Sequence, residues 1–145
     1  MCLVLYLGSD KQRPLIGWDA AVPRFHVKDA DTDAKKVSTH FRKRRAYYVG
    51  SDNGCGCGFR QEHEEMNDDA EQLASKTDNQ KLLHEYVNKC LCDENSIELY
   101  SCWSGDEDLP MEFDRTIGVD ELIDDGFWFA ERQRTIVVRS SDHEL

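Results

Sequence analysis

Residues 3–10 read Leu-Val-Leu-Tyr-Leu-Gly-Ser-Asp, a short apolar run that is closed at once by turn-forming residues. An apolar run of this length without polar alternation is typical of a strand that is covered on both faces. We therefore predict a buried strand over residues 3–7. The run is too short for the apolar core of a signal peptide or for a membrane span, so we expect a cytoplasmic protein that does not enter a membrane.

Four further segments have the composition of strands. Residues 44–50, Arg-Arg-Ala-Tyr-Tyr-Val-Gly, combine aromatic and β-branched side chains with a terminal glycine, and residues 96–102, Ser-Ile-Glu-Leu-Tyr-Ser-Cys, alternate in polarity. Residues 127–130 and 135–138 are predicted as two strands joined by a polar turn, so that a hairpin closes the chain. The segment before them, residues 105–116, is predicted to be an acidic loop.

The segment between the second and third predicted strands is expected to be helical. Apolar residues recur at helical spacing over about residues 61–74 and again up to Leu91, with an interruption at Ser75–Asn79. Thr77 matches a capping box for the second of these helices. The order of elements predicts one domain over residues 1–145 with an α+β fold, in which a mixed, mainly antiparallel sheet has two helices packed on one face.

The composition is acidic, because 29 Asp and Glu side chains against 18 Lys and Arg give a net charge of −11. A field of this sign repels phosphate backbones and anionic membranes. We therefore expect no nucleic-acid binding. The charge is compatible with a cationic partner or a divalent metal ion, and its simplest interpretation is that acidity keeps the protein dispersed in solution. The 6 cysteines are expected to be thiols or metal ligands, because the cytoplasm is reducing. The oligomeric state is left open.

The stretch Gly-Cys-Gly-Cys-Gly at residues 54–58 places two thiols in a glycine-rich loop. Cys-x-Cys brings two sulfurs within reach of one ion, and a second Cys-x-Cys follows at Cys90 and Cys92. Two such pairs complete the four-thiolate set that structural zinc prefers, so Cys55, Cys57, Cys90 and Cys92 are the predicted zinc ligands. Four other residues are candidate substitutes in this set: Cys2, His63, His84 and Cys102.

The same loop has other interpretations. In one, its thiols sense redox state or act as nucleophiles, because Cys57 shortly precedes a predicted helix start whose N–H groups favour a thiolate, although the acidic residues that follow oppose it. In another, the glycines allow the backbone conformations that a tight connection requires, and the cysteines pack as small apolar groups. A phosphate-binding loop is rejected, since Gly-x-Gly-x-Gly is not the nucleotide-binding pattern.

Cys2 has two interpretations of its own. It would be a terminal nucleophile only if Met1 were removed, and otherwise it is an ordinary cysteine at the edge of a strand.

The acidic loop after the third strand offers an alternative function. Trp103 stands close to Asp106, Glu107 and Asp108; tryptophan anchors protein contacts, and carboxylates steer association. These four residues are the candidate contact surface of an inhibitor or immunity-type protein that docks on a basic partner. No catalytic motif is complete, so an enzyme is not the expected class. The preferred hypothesis is a protein that binds a metal ion or senses redox state through residues 54–58.

Overall fold

The computed structural model describes residues 2–61 and 69–143, which fold around a six-stranded sheet. In chain order, its strands are β1 (Leu3–Ser9), β2 (His26–Asp29), β3 (Arg45–Gly50), β4 (Ser96–Trp103), β5 (Phe113–Gly118) and β6 (Gln133–Val138). The helices are α1 (Ala34–Val37), α2 (Ala70–Cys90) and α3 (Ser140–His143). Short 3-10 turns cover Asp31–Asp33, Ser38–His40, Gly56–Gly58 and Val119–Ile123.

The strand order across the sheet is β2-β3-β1-β4-β6-β5. Every neighbouring pair is antiparallel except β5 and β6, which run parallel at one edge of this sheet. The predicted α+β class, with a mixed and mainly antiparallel sheet, is therefore confirmed. β1 lies between β3 and β4 and all 7 of its residues are buried, as the apolar run at residues 3–7 predicted.

The two faces of the sheet carry separate layers, because strand side chains point alternately to either side. Leu5 and Leu7 of β1 lie in the main core, together with Leu83 of α2. Tyr6 lies on the opposite face in a smaller core, together with Val37 of α1. The long helix thus covers one face of the sheet and the short helix packs on the other.

Helix α2 is continuous, so the predicted interruption at Ser75–Asn79 and the predicted cap at Thr77 are wrong. The cap is Asp69, whose carboxylate accepts a hydrogen bond from the backbone N–H of Gln72 at 2.8 Å. The Gln72 side-chain oxygen in turn accepts from the backbone N–H of Asp69 at 2.9 Å, which completes a capping box. Residues 62–68, where the first predicted helix begins, lie outside the described residues.

Two buried polar side chains explain why the middle of α2 resembles a break in the sequence. Asn79 is 3% exposed and donates from its amide to the Asp52 carboxylate at 2.9 Å. Gln80 is 1% exposed and donates to the carbonyl oxygen of Leu122 at 2.5 Å. These residues hold neighbouring loops against the helix. Their tertiary contacts therefore outweigh the low helix propensity of this stretch. Neither α2 nor another helix of the described chain has the length and apolar composition that crossing a membrane requires.

The last third of the chain differs from the predicted hairpin. Residues 127–130 form no strand, although Phe129 makes an isolated parallel bridge to Gln61. β6 pairs with β4 on one side and, in parallel, with β5 on the other. β5 begins inside the predicted loop at residues 105–116. Parallel neighbours need a long connection, here residues 119–132, so no short turn signal in the sequence marks their pairing.

Candidate metal centre

The segment after β3 folds back over the beginning of β1, because these strands are antiparallel neighbours. We call residues 51–58 the Cys-Gly loop. At Gly56 the loop lies so close to β1 that a Cβ atom would be 2.8 Å from the carbonyl oxygen of Leu3. Gly54 has a φ of 85°, in the left-handed region that favours glycine. Two of the glycines are therefore explained by backbone geometry.

Three cysteine sulfurs meet where the Cys-Gly loop reaches β1. The Sγ atoms of Cys2, Cys55 and Cys57 all lie within 4.8 Å of one another. Cys2 directly precedes β1, whereas Cys55 caps the 3-10 turn that contains Cys57. The backbone N–H of Cys57 donates to the Sγ of Cys55 at 3.4 Å. Because Cys2 is exposed and the other two are half-buried, this thiol cluster is open to solvent on one side.

Burial keeps the Cys55 thiol protonated in the absence of an ion. Burial raises the pKa of Cys55 to about 12; the hydrogen bond from the Cys57 N–H lowers it, and the neighbouring thiols of Cys57 and Cys2 raise it further. Burial likewise raises the pKa of Tyr48 to about 12, with contributions from the same three cysteines. An ion that binds to the Cys55 sulfur must therefore displace a proton.

Hydrogen bonds fix the Cys-Gly loop in place. The Ser51 hydroxyl donates to the carbonyl oxygen of Cys55 at 2.6 Å. The Tyr48 hydroxyl, from β3, donates to the carbonyl oxygen of Gly54 at 3.0 Å. The carboxylate of Asp52 accepts two hydrogen bonds from side chains of α2, at 2.7 and 2.9 Å. The loop is thus tied both to the sheet and to the long helix, which holds its thiols close to Cys2.

The second predicted cysteine pair, Cys90 and Cys92, does not join the thiol cluster. Cys90 is buried at the end of α2, where its carbonyl oxygen accepts a hydrogen bond from Arg13 at 3.2 Å. Arg13 also donates to Ser9, which ends β1. A strand rises about 3.3 Å per residue, so this end of β1 is roughly 20 Å from Cys2. Cys92 is exposed in the turn that follows α2.

Two of the other candidate substitutes, Cys102 and His84, stand apart from the thiol cluster as well. Cys102 is buried in the smaller core, and burial raises its pKa to about 12. His84 pairs with Asp120, with 2.9 Å between its Nε2 and the carboxylate. His63 lies outside the residues that the structure describes. Of the substitutes considered from the sequence, the structure brings Cys2 to the Cys-Gly loop.

The four residues of the predicted contact surface differ in burial, and one of them, Glu107, is buried. Glu107 is 5% exposed, and its carboxylate accepts hydrogen bonds from Tyr6 at 3.2 Å and from the backbone of its own loop at 2.6 Å. Trp103 is half-buried against the main core, and Asp106 is also half-buried. Asp108 is exposed. A carboxylate that is already bonded within the fold is a poor contact for a partner, which argues against Glu107 as part of such a surface.

Cys2 is the member of the thiol cluster that the sequence pattern predicted only as a substitute ligand. Strand pairing could have indicated this role for Cys2. If residues 3–7 and 44–50 are antiparallel neighbours, the start of the first strand, next to Cys2, lies beside the end of the second strand. Comparison with known protein families, with curated proteins and with solved structures found no match. The candidate site therefore rests on the geometry of this chain.

Proposed function

We propose that this protein binds a thiophilic metal ion, with zinc as the first candidate, through Cys2, Cys55 and Cys57. The observation that carries the proposal is the approach of three sulfurs to within 4.8 Å of one another, although Cys2 is far from the other two along the chain. Zinc–sulfur bonds of about 2.3 Å place two tetrahedral sulfur ligands about 3.8 Å apart. Closing the thiol cluster around one ion therefore requires shifts of about 1 Å, within the reach of side-chain rotation.

The chemistry of the site suits a soft cation. Thiolates select zinc and monovalent copper over magnesium and calcium. Three thiolates leave the fourth position of a tetrahedral zinc open, as in sites where zinc holds water or an exchangeable ligand. The net charge of −11 attracts a cation, and the N–H of Cys57 partly offsets the charge of the Cys55 thiolate. These features support metal binding at a site with one position free for a further ligand.

Metal titration of the reduced full-length chain tests the proposal. We expect one zinc ion per chain, release of protons on binding, and a thiolate-to-metal absorption band when cadmium replaces zinc. The Cys55→Ser and Cys57→Ser variants should each lose at least about tenfold in zinc affinity, since each removes one of three ligands. Cys92→Ser is the matched control, because Cys92 is exposed and outside the thiol cluster. That variant should bind zinc as the unmodified chain does.

Two results would contradict the proposal. If the reduced chain binds neither zinc nor monovalent copper, the thiol cluster is no metal site. If Cys92→Ser weakens binding as much as Cys55→Ser does, the ligand set is the Cys55, Cys57, Cys90 and Cys92 set predicted from the sequence. Formation of a disulfide within the cluster under mild oxidation, in a chain that binds no ion, would instead favour redox sensing through the same residues.

A further inference from the structure

A cavity lies between β5 and the segment that follows this strand. Its volume is about 320 Å³. Two strands, β4 and β6, separate β5 from β1, so the cavity is a separate site from the thiol cluster at the beginning of β1. The cavity is lined by Arg115, Ile117, Glu121, Asp124, Gly126 and Phe127.

The guanidinium group of Arg115 contributes a half-buried positive charge to this wall. Its Nε donates to the Thr135 hydroxyl at 3.2 Å, and its Nη2 donates to the carbonyl oxygen of Trp128 at 2.8 Å. It forms no ion pair with a carboxylate of the described chain. Burial lowers the pKa of Arg115, and the charge of Glu121 only partly offsets this effect. A partly buried cation without an ion pair is costly, so an external anion at this position would stabilise the fold.

The Arg115 guanidinium group is fixed in place and still has donors to offer. Its Cζ atom lies 4.5 Å from the centre of the Phe127 ring, and this contact and the two hydrogen bonds hold its plane. Its Nη1 makes no hydrogen bond with the described chain and remains accessible to solvent. The group can therefore bind an anion without first being reoriented.

The rest of the wall combines apolar and acidic side chains. Ile117 and Phe127 belong to the main core and are each 5% exposed. Glu121 is half-buried and accepts from the backbone N–H of Gly118 at 2.7 Å, whereas Asp124 is exposed. An anion beside Arg115 therefore meets apolar surface, and a second negative charge on it would be repelled by Glu121 and Asp124.

We propose that this cavity binds a small monocarboxylate with an apolar body. Its carboxylate accepts hydrogen bonds from Arg115, and its apolar body contacts Ile117 and Phe127. A carboxylate suits this position because it accepts the in-plane N–H groups of a guanidinium group. The volume of about 320 Å³ limits the body to a few carbon atoms.

Protein-observed NMR titration with isovalerate, on the reduced full-length chain, tests this assignment. We expect saturable shifts at the backbone amides of residues 115–117 and 126–127. Isovalerate should bind at least about tenfold more tightly than isovaleramide, which has the same shape without the charge, or acetate, which has the charge without the body. Arg115→Gln should weaken isovalerate binding about tenfold. The matched control is Arg44→Gln, because Arg44 is exposed and does not line the cavity.

A second pair of variants leaves Arg115 in place. Asp124→Asn should tighten isovalerate binding about threefold, because it removes one of the two repelling charges from the wall. Asp125→Asn is its control, since Asp125 is exposed, carries the same charge and does not line the cavity. That variant should bind isovalerate nearly as the unmodified chain does.

The assignment is overturned if isovalerate produces no saturable shifts, or if isovaleramide or acetate binds as tightly as isovalerate does. It is also overturned if Arg115→Gln and Arg44→Gln bind isovalerate equally well. If Arg115→Gln does not fold, the comparison of Asp124→Asn with Asp125→Asn decides the matter, and equal affinities in these two variants overturn the assignment.

Discussion

At the scale of single residues, Gly56 determines whether the thiol cluster can form. A Cβ atom at this position would lie 2.8 Å from the carbonyl oxygen of Leu3, in the buried central strand. Because backbone atoms of that strand cannot move aside, Gly56→Ala should lower the free energy of unfolding by about 2 kcal/mol. The Cys-Gly loop should also move away from Cys2, so that zinc affinity falls. Denaturant unfolding and zinc titration measure the two effects.

Gly17→Ala is the matched control for this substitution. No atom lies within 4 Å of a Cβ atom built at Gly17, so the change should alter stability by less than about 0.5 kcal/mol and leave zinc binding intact. If Gly56→Ala binds zinc normally and unfolds like Gly17→Ala, the close approach of the loop to β1 is not what holds the thiols together.

At the scale of elements, Glu94 joins the turn after α2 to the segments that flank β1 and β3. It is 8% exposed and accepts hydrogen bonds or ion pairs from Ser9, Asp10, Arg13 and Lys43. Burial alone would raise its pKa, but these contacts outweigh burial and lower the pKa to about 2. Glu94→Gln should cost about 3 kcal/mol in the free energy of unfolding at neutral pH, because it leaves the buried Arg13 and the half-buried Lys43 with less compensation.

The same contacts predict how the free energy of unfolding depends on pH in the acid range. A carboxyl group whose pKa is lowered on folding stabilises the fold above its unfolded pKa, and this contribution is lost as the pH falls from about 4.5 to about 2. Glu94→Gln should therefore flatten this part of the pH profile in denaturant unfolding. Asp142→Asn is the control, since the Asp142–Arg139 pair is exposed and should contribute less than about 0.5 kcal/mol. An unchanged acid profile in Glu94→Gln would refute this role.

At the scale of the whole molecule, the buried thiols make the fold sensitive to alkali. Burial raises the pKa of Cys90 to about 11 and of Cys102 to about 12, as it does for Cys55. The folded chain then keeps protons that the unfolded chain releases above about pH 9, so stability is fully present below that pH and falls as the pH rises. We expect each of the two fully buried thiols, Cys90 and Cys102, to contribute a loss on the order of 2 kcal/mol between about pH 9 and 11 in denaturant unfolding.

Zinc bound at the proposed site should remove the contribution of Cys55 to this dependence. A bound ion stabilises thiolates, so the zinc-loaded chain should lose less stability between about pH 9 and 11 than the metal-free chain does. Cys90→Ala and Cys102→Ala should each reduce the slope of the metal-free profile. A metal-free chain whose stability is flat through this pH range would show that the buried thiols are not held protonated by the fold.

Local patterns were sufficient for elements that a short apolar run or a regular periodicity marks by itself. The apolar run at residues 3–7 was correctly predicted as a buried strand, and the strand at residues 44–50 differs from β3 by one residue. The periodicity up to Leu91 correctly predicted a helix, but the predicted break at Ser75–Asn79 was wrong. Polar side chains inside a helix look like an interruption unless their buried hydrogen-bond partners are known.

The α+β class, the central apolar strand and the two thiols among closely spaced glycines could be predicted before the fold was known, because each follows from composition or short-range periodicity. The tertiary structure was needed to show that Cys2 meets Cys55 and Cys57 while Cys90 and Cys92 stand at the far end of β1. It also decided the parallel pairing of β5 with β6. Both depend on which strands become neighbours, and burial of the whole sheet selects that pairing rather than any local preference of the chain.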